Sequence, residues 1–217
     1  MARTILVLGQ SGRGKSTSLR NLDPAHVAIL NTERKKLPFK AANLFKMEVR
    51  PTTVKETLNT LDKMAKGTNC KIVVIDSFSA FTDTLLAEAR IIKSGWDVWS
   101  YYNETLYKFF DSLKKINDSG KHCIVIGHEE ILEGPDGGDR VVSLKVKGKE
   151  WSGVIEKEFD IVLHSFSKVL SPTEVQYKFR TQTDGVVPAK SPMGMFEDIV
   201  IDNDMEIVIN GIEDYDA

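Results

Sequence analysis

An α/β fold, with a mostly parallel sheet flanked by helices and antiparallel strands at the C-terminal edge, is predicted by three features of the sequence. Short β-branched runs alternate with helix-length stretches along most of the chain. Several of these runs, such as IVVI at 72–75 and CIVI at 123–126, are apolar throughout, as strands covered on both faces must be. The runs near the end instead alternate apolar with polar residues, the pattern of antiparallel strands with one face in solvent.

Taken in order, residues 4–8 read as the first strand and residues 15–21 open a helix. Residues 27–31 form a second strand, followed by a basic loop and a short run at 44–49. Pro51 starts a helix to about Lys66, with Val54, Leu58, Leu61 and Met64 at helical spacing. Residues 71–76 are a third strand. Helical stretches at 82–92 and 98–116 flank a break at Lys93-Ser94-Gly95. Residues 122–127 and 160–164 supply a fourth and a fifth strand. Residues 175–183, and those from 199 onward, read as antiparallel additions to one edge.

With 217 residues, 41% apolar and 28% charged, the chain suits one domain over 1–210 with a full core, ended by a short acidic tail at 211–217. No apolar run approaches the roughly 20 residues of a membrane span, which predicts no membrane partner. The N-terminus shows no signal-peptide pattern. Two cysteines, Cys70 and Cys123, read as structural thiols in a reducing cytoplasm. The net charge of -2 is unevenly spread: residues 197–217 carry eight acids and no lysine or arginine. Of 31 acids and 29 bases in all, 23 and 29 therefore fall in the first 196 residues, a net of +6. A basic body with an acidic end suits either a nucleic-acid protein or a solubilised terminus.

The strongest motif is Gly9-Gln10-Ser11-Gly12-Arg13-Gly14-Lys15-Ser16, which fits G-x-x-x-x-G-K-[ST] between a strand and a predicted helix. Its glycines let successive N–H groups, through Thr17, converge on a phosphate. Lys15 is placed to reach the β- and γ-phosphates of ATP, and the Ser16 hydroxyl to bind Mg²⁺. A second carboxylate for that metal is expected at the end of a neighbouring strand, where IVVIDS supplies Asp76. The residue after Asp76 is Ser77 rather than a glutamate, so a water-activating group must come from another strand end. Glu33, closing the second strand, is the candidate to orient water. His128, closing the fourth, is the candidate γ-phosphate sensor, with Glu129 as its neighbour.

Together GQSGRGKS, LNTERKKLPF, IVVIDS, CIVIGHEE and YKFRTQTDGVVPAKSPMGMF resemble the RecA-like recombinase core, in particular the small phage-encoded RecA-like ATPases of single-strand annealing and recombination. The resemblance spans roughly residues 3–196. It implies a RecA-like P-loop NTPase core in which Glu33 activates water and His128 couples nucleotide state to a following DNA-binding loop. It also implies that Lys190, in a late loop, reaches a neighbouring subunit's phosphates in a homo-oligomer with nucleotide at the interface. Single-stranded DNA and a single-strand-binding protein are the implied partners, in the cytoplasm of a phage's host.

Residues 129–150 follow the sensor strand, with a flexible turn expected at Gly134-Pro135-Asp136-Gly137-Gly138. Arg140, Lys145, Lys147 and Lys149 follow. On an extended segment the three lysines share one face at about 7 Å spacing, suited to DNA phosphates or to guarding an exposed edge. The segment 93–102 offers aromatics beside a basic loop for base stacking, though Trp99, Tyr102 and Leu106 equally fit a buried helical face. Two alternatives stay open beside the DNA-stimulated ATPase: a small-molecule kinase and a nucleotide-gated binding module with little turnover. A kinase lid rich in arginine is not evident, since residues 129–150 hold only Arg140. A guanine-reading N-K-x-D is absent; Thr181-Gln182-Thr183-Asp184 lacks its lysine.

Overall fold

A computed structural model describes residues 1–67, 69–133 and 140–217. Its six parallel strands are β1 (Thr4–Gly9), β2 (Val27–Asn31), β3 (Met47–Val49), β4 (Ile72–Asp76), β5 (His122–Glu133) and β7 (Ile161–Ser171). Three more, β6 (Arg140–Leu144), β8 (Glu174–Arg180) and β9 (Val200–Asp202), pair antiparallel. The order across the sheet is β3-β2-β4-β5-β1-β7-β8-β9, with β6 paired to the outer part of β5. This is a P-loop NTPase fold in which β5 is inserted between the phosphate-loop strand β1 and the aspartate strand β4.

Burial explains why the strand sequences are so uniformly apolar. Leu6, Leu8, Val73, Ile75, Cys123 and Val125 face one core, beneath α1 (Val54–Lys66), α2 (Phe78–Ile92) and α3 (Asp97–Asp118). Ile5, Val7, Ile72, Val74, Ile124 and Ile126 face the other, against Leu19 and α4 (Met205–Tyr215). Alternate residues thus serve alternate layers, and both faces favour apolar side chains. Cys70 and Cys123 are both buried and free, and burial pushes the Cys123 thiol up. Among the described residues, no helix is long and apolar enough to cross a membrane.

Several elements differ from expectation. The segment after the phosphate loop is a short 3-10 stretch, Ser16–Asn21, rather than a longer helix. Helix α1 starts at Val54, because Thr53 caps it by accepting from the Glu56 N–H while Glu56 reaches back to Thr52. Helix α2 starts at Phe78 rather than near residue 82, since Ser77 caps it and Phe78 and Phe81 pack on Phe109. Strands β5 and β7 run well past the sheet's carboxyl edge as the inner arms of hairpins with β6 and β8. The expected turn at 134–138 lies outside the described residues.

The acidic tail is corrected too. Residues from 205 continue as helix, not strand, and the boundary at 210/211 falls inside α4. Ile212 is buried with Met205, Val208 and Ile209, a helical stripe that binds this end to the core. Asp216 accepts from the Arg3 guanidinium and pairs with the N-terminal ammonium, which holds its carboxyl below the usual range.

Candidate active site

Parallel register brings the ends of five strands to one edge. Gly9 lies opposite His128, Asn31 opposite Asp76, Asp76 opposite Ile126, and Leu8 opposite His164. A cleft of about 550 Å³ opens there, lined by Ser11, Gly12, Gly14, Lys15, Ser16, Thr17, Glu33, Lys35, Asp76, His128 and Tyr177, among others.

The loop's glycines are set by contact as well as by turn geometry. A side chain on Gly9 would collide with the Ser165 carbonyl, and one on Gly14, whose φ is 87°, would meet the Tyr177 ring at 2.8 Å. Lys15 lies across the loop mouth, donating to the Gly9 and Gln10 carbonyls at 2.8 Å each. Burial lowers its pKa, against the opposing pull of Asp76, Glu33 and Glu129. Ser16 and Asp76 line the cleft together, and the Asp76 carboxyl is raised chiefly by burial, against the lowering influence of the Ser16 hydroxyl. Two hard oxygen donors side by side suit Mg²⁺, which keeps most of its shell for water and phosphate oxygens.

Glu33 and His128, far apart in sequence, meet beside Lys15. His128 Nδ1 lies 3.5 Å from the Lys15 ammonium, leaving Nε2–H to donate to Glu33 Oε1 at 3.2 Å. Ser77 Oγ donates to the same oxygen at 2.9 Å, and Lys35 Nζ pairs with Oε2 at 2.9 Å. The His128 bond, followed by Lys35 and Ser77, outweighs burial and holds this carboxyl well below the usual range. A carboxylate so held is an anion throughout the neutral range, fit to orient a water.

Not every expected site residue shares this cleft. Gln10 and Arg13 turn the other way. Gln10 lines a separate cavity of about 180 Å³ with Glu129 and His164, and beside it Arg13 donates to Ser167 at 2.5 Å. Lys190 forms a bridge with Val162, on the level of Leu6 and below the cleft of its own chain. Arg140 is exposed at the start of β6. The shared face expected for Lys145, Lys147 and Lys149 does not form. Strand β6 ends at Leu144, Val146 is buried, and Gly148 takes a left-handed φ of 91° that turns the chain. Of the three, Lys145 lines a second cleft of about 370 Å³ with Arg34, Lys35, Glu33 and His128. In the other aromatic segment Tyr102 and Leu106 are buried and Trp99 packs on them, whereas Trp96 is 86% exposed.

Three contributors, Tyr177, Lys35 and His164, were not singled out from sequence, and Glu129 was noted only as the neighbour of His128. Tyr177 alternates with buried Phe179 on β8 and reads there as an edge-strand residue, yet it walls the cleft. Lys35 sits in a basic loop whose position only the fold defines. Glu129 and His164 join at 2.7 Å beneath the phosphate loop, although 34 residues separate them in the sequence.

No curated protein matches the chain. A family model described as an AAA domain matches residues 1–193. With the phosphate loop, Asp76 and the strand-end residues assembled in one cleft, the match agrees with the geometry: the chain belongs to this AAA domain family and carries a P-loop ATPase-type domain.

Proposed function

We propose that this protein hydrolyses ATP in response to single-stranded DNA, in the manner of phage recombination or annealing ATPases. The observation that carries the reading is the meeting of Lys15, Glu33 and His128 at one cleft, with His128 on the strand that continues into the β5–β6 hairpin. Lys15 and the loop N–H groups hold the phosphates, while Ser16 and Asp76 hold Mg²⁺, which when bound offsets charge on the transferring phosphoryl group. Glu33 orients the attacking water, and His128 reports the phosphate end to β5. Tyr177, at the loop, offers a stacking face to the base.

The basic residues Arg34, Lys35 and Lys145 around the second cleft, with Arg140 on the hairpin, support DNA as the partner. Lys190, remote from its own cleft, fits a role across a homo-oligomer interface. The test is ATP hydrolysis with and without single-stranded DNA at low and moderate salt, with Lys15→Ala as the blank. Stimulation that fades with salt is expected. Hydrolysis indifferent to DNA would favour a kinase or protein-partnered switch, and binding without turnover a nucleotide-gated module.

A further inference from the structure

Glu33 is held by three partners at once, and they differ in how easily they can leave. Ser77 is buried and caps α2, and its backbone is tied to Thr32 by two hydrogen bonds. His128 is fixed through its backbone N–H, which donates to Ser79 at 2.9 Å. Lys35 is different. Its carbonyl is anchored by the Asn31 side chain at 2.6 Å, but its ammonium stem is 78% exposed. An exposed ion pair of this kind shifts an equilibrium by at most about fivefold, so a competing anion readily displaces it.

Lys35 also lies on the boundary of two spaces. With Glu33 and His128 it lines both the nucleotide cleft and the second cleft. The second cleft adds Arg34 and Lys145, against the single acid Asp83 beyond Glu33 itself. Arg34 is the one non-glycine among the described residues with positive φ, at 56°, in the turn between Glu33 and Lys35. A phosphodiester entering this cleft meets three cations and competes with Glu33 for Lys35.

We propose that the Lys35–Glu33 ion pair is a removable lock on hydrolysis, opened when a phosphodiester of single-stranded DNA in the second cleft takes Lys35 and frees Glu33 Oε2 for water. This rests on the ATPase reading of Glu33 given above. It locates DNA contact at Arg34, Lys35 and Lys145 and makes Lys35 a positioning residue rather than a catalytic one.

The test compares wild type, Lys35→Met and Lys35→Arg in steady-state ATP hydrolysis over a titration of oligothymidylate, with inorganic sulfate at matched ionic strength as a free oxyanion. Lys35→Met is expected to raise the DNA-free kcat about two- to fivefold at unchanged KM for ATP and to lose most further stimulation. Lys35→Arg keeps the lock and responds as wild type does. Lys145→Ala raises the oligonucleotide concentration needed for half-maximal stimulation. If DNA stimulates wild type but the DNA-free kcat of Lys35→Met is unchanged or lower, the lock is overturned. Stimulation by sulfate equal to that by oligonucleotide overturns DNA as the specific key. Wild-type hydrolysis that DNA leaves unchanged overturns the proposal and the DNA-stimulated reading together, leaving only hydrolysis at Glu33. A failure of Lys35→Met in a stimulated wild type overturns the lock alone. Wild type that binds ATP without turning it over overturns the ATPase reading as well.

Discussion

The middle of β5, where it leaves the parallel sheet, carries two adjacent residues, His128 and Glu129, and each makes a carboxylate–imidazole pair on the opposite side of the strand. His128 meets Glu33 on one side of Lys15, and Glu129 meets His164 on the other. The two pairs have the same chemistry and different surroundings. Glu33 and His128 line two open clefts, and their side chains are 19% and 34% exposed. Glu129 and His164 are 8% and 13% exposed, closer together, and share a small cavity with Gln10 of the loop. The open pair can exchange a partner for water or phosphate, so it suits chemistry. The closed pair has little to exchange and holds β5, β7 and the loop in register. Strand pleat alone separates the two roles, since successive side chains point to opposite faces.

The largest effect that would sharpen this contrast is expected at Glu33. Glu33→Gln keeps ATP binding and lowers turnover about 10²-fold or more, read by nucleotide titration and steady-state hydrolysis. An unchanged rate would remove Glu33 from the chemistry. His128→Asn comes next, with kcat down about tenfold through loss of a charge-assisted bond and little change in the urea midpoint. His164→Asn should invert that balance. It leaves a buried carboxylate short of a partner and costs about 1–3 kcal/mol of stability, while kcat per folded molecule stays within about twofold. If the two histidine variants behave alike, the division between open and closed pairs is wrong.

The smallest effect is in pH dependence. Burial is the largest single effect on Glu129 and opposes its ionisation, but the His164 bond and charge together with Gln10 and Lys15 outweigh it, so the carboxyl lies below its ordinary 4.5. A carboxylate depressed in the folded state contributes stability that is complete above the unfolded value and lost as pH falls through the folded one. Glu129→Gln should therefore flatten the stability curve below pH 4.5, measured by urea unfolding across pH. A curve that falls as steeply below pH 4.5 in the variant as in wild type would exclude Glu129 as its source.

The sequence of the acidic end shows how local pattern and context divide. Eight acids without a base suggest a solvated tail, yet Met205, Val208, Ile209 and Ile212 form a helical stripe within them and are buried. Charge outnumbered the stripe on the page; burial of the apolar face decided the fold. Lys145, Lys147 and Lys149 show the reverse case. Their alternation suggested a common face, but strand β6 ends at Leu144 and the left-handed Gly148 turns the chain before Lys149.

From the amino-acid sequence alone came the phosphate loop, Asp76, the parallel α/β class and the candidacy of Glu33 and His128, although β2 ends at Asn31 and β5 does not close at His128 but runs on to Glu133. Each of these depends on contacts a few residues apart: a glycine's φ, a period of two or 3.6, a strand stopped by a polar residue. Tertiary structure alone decided that β5 lies between β1 and β4, that Glu33 and His128 share a proton donor and acceptor, and that Lys35, Tyr177 and His164 belong to the same end of the molecule. Those are pairings between positions 35 and 95 residues apart in the chain. Strand order and register set them, and no local periodicity encodes which strand lies beside which.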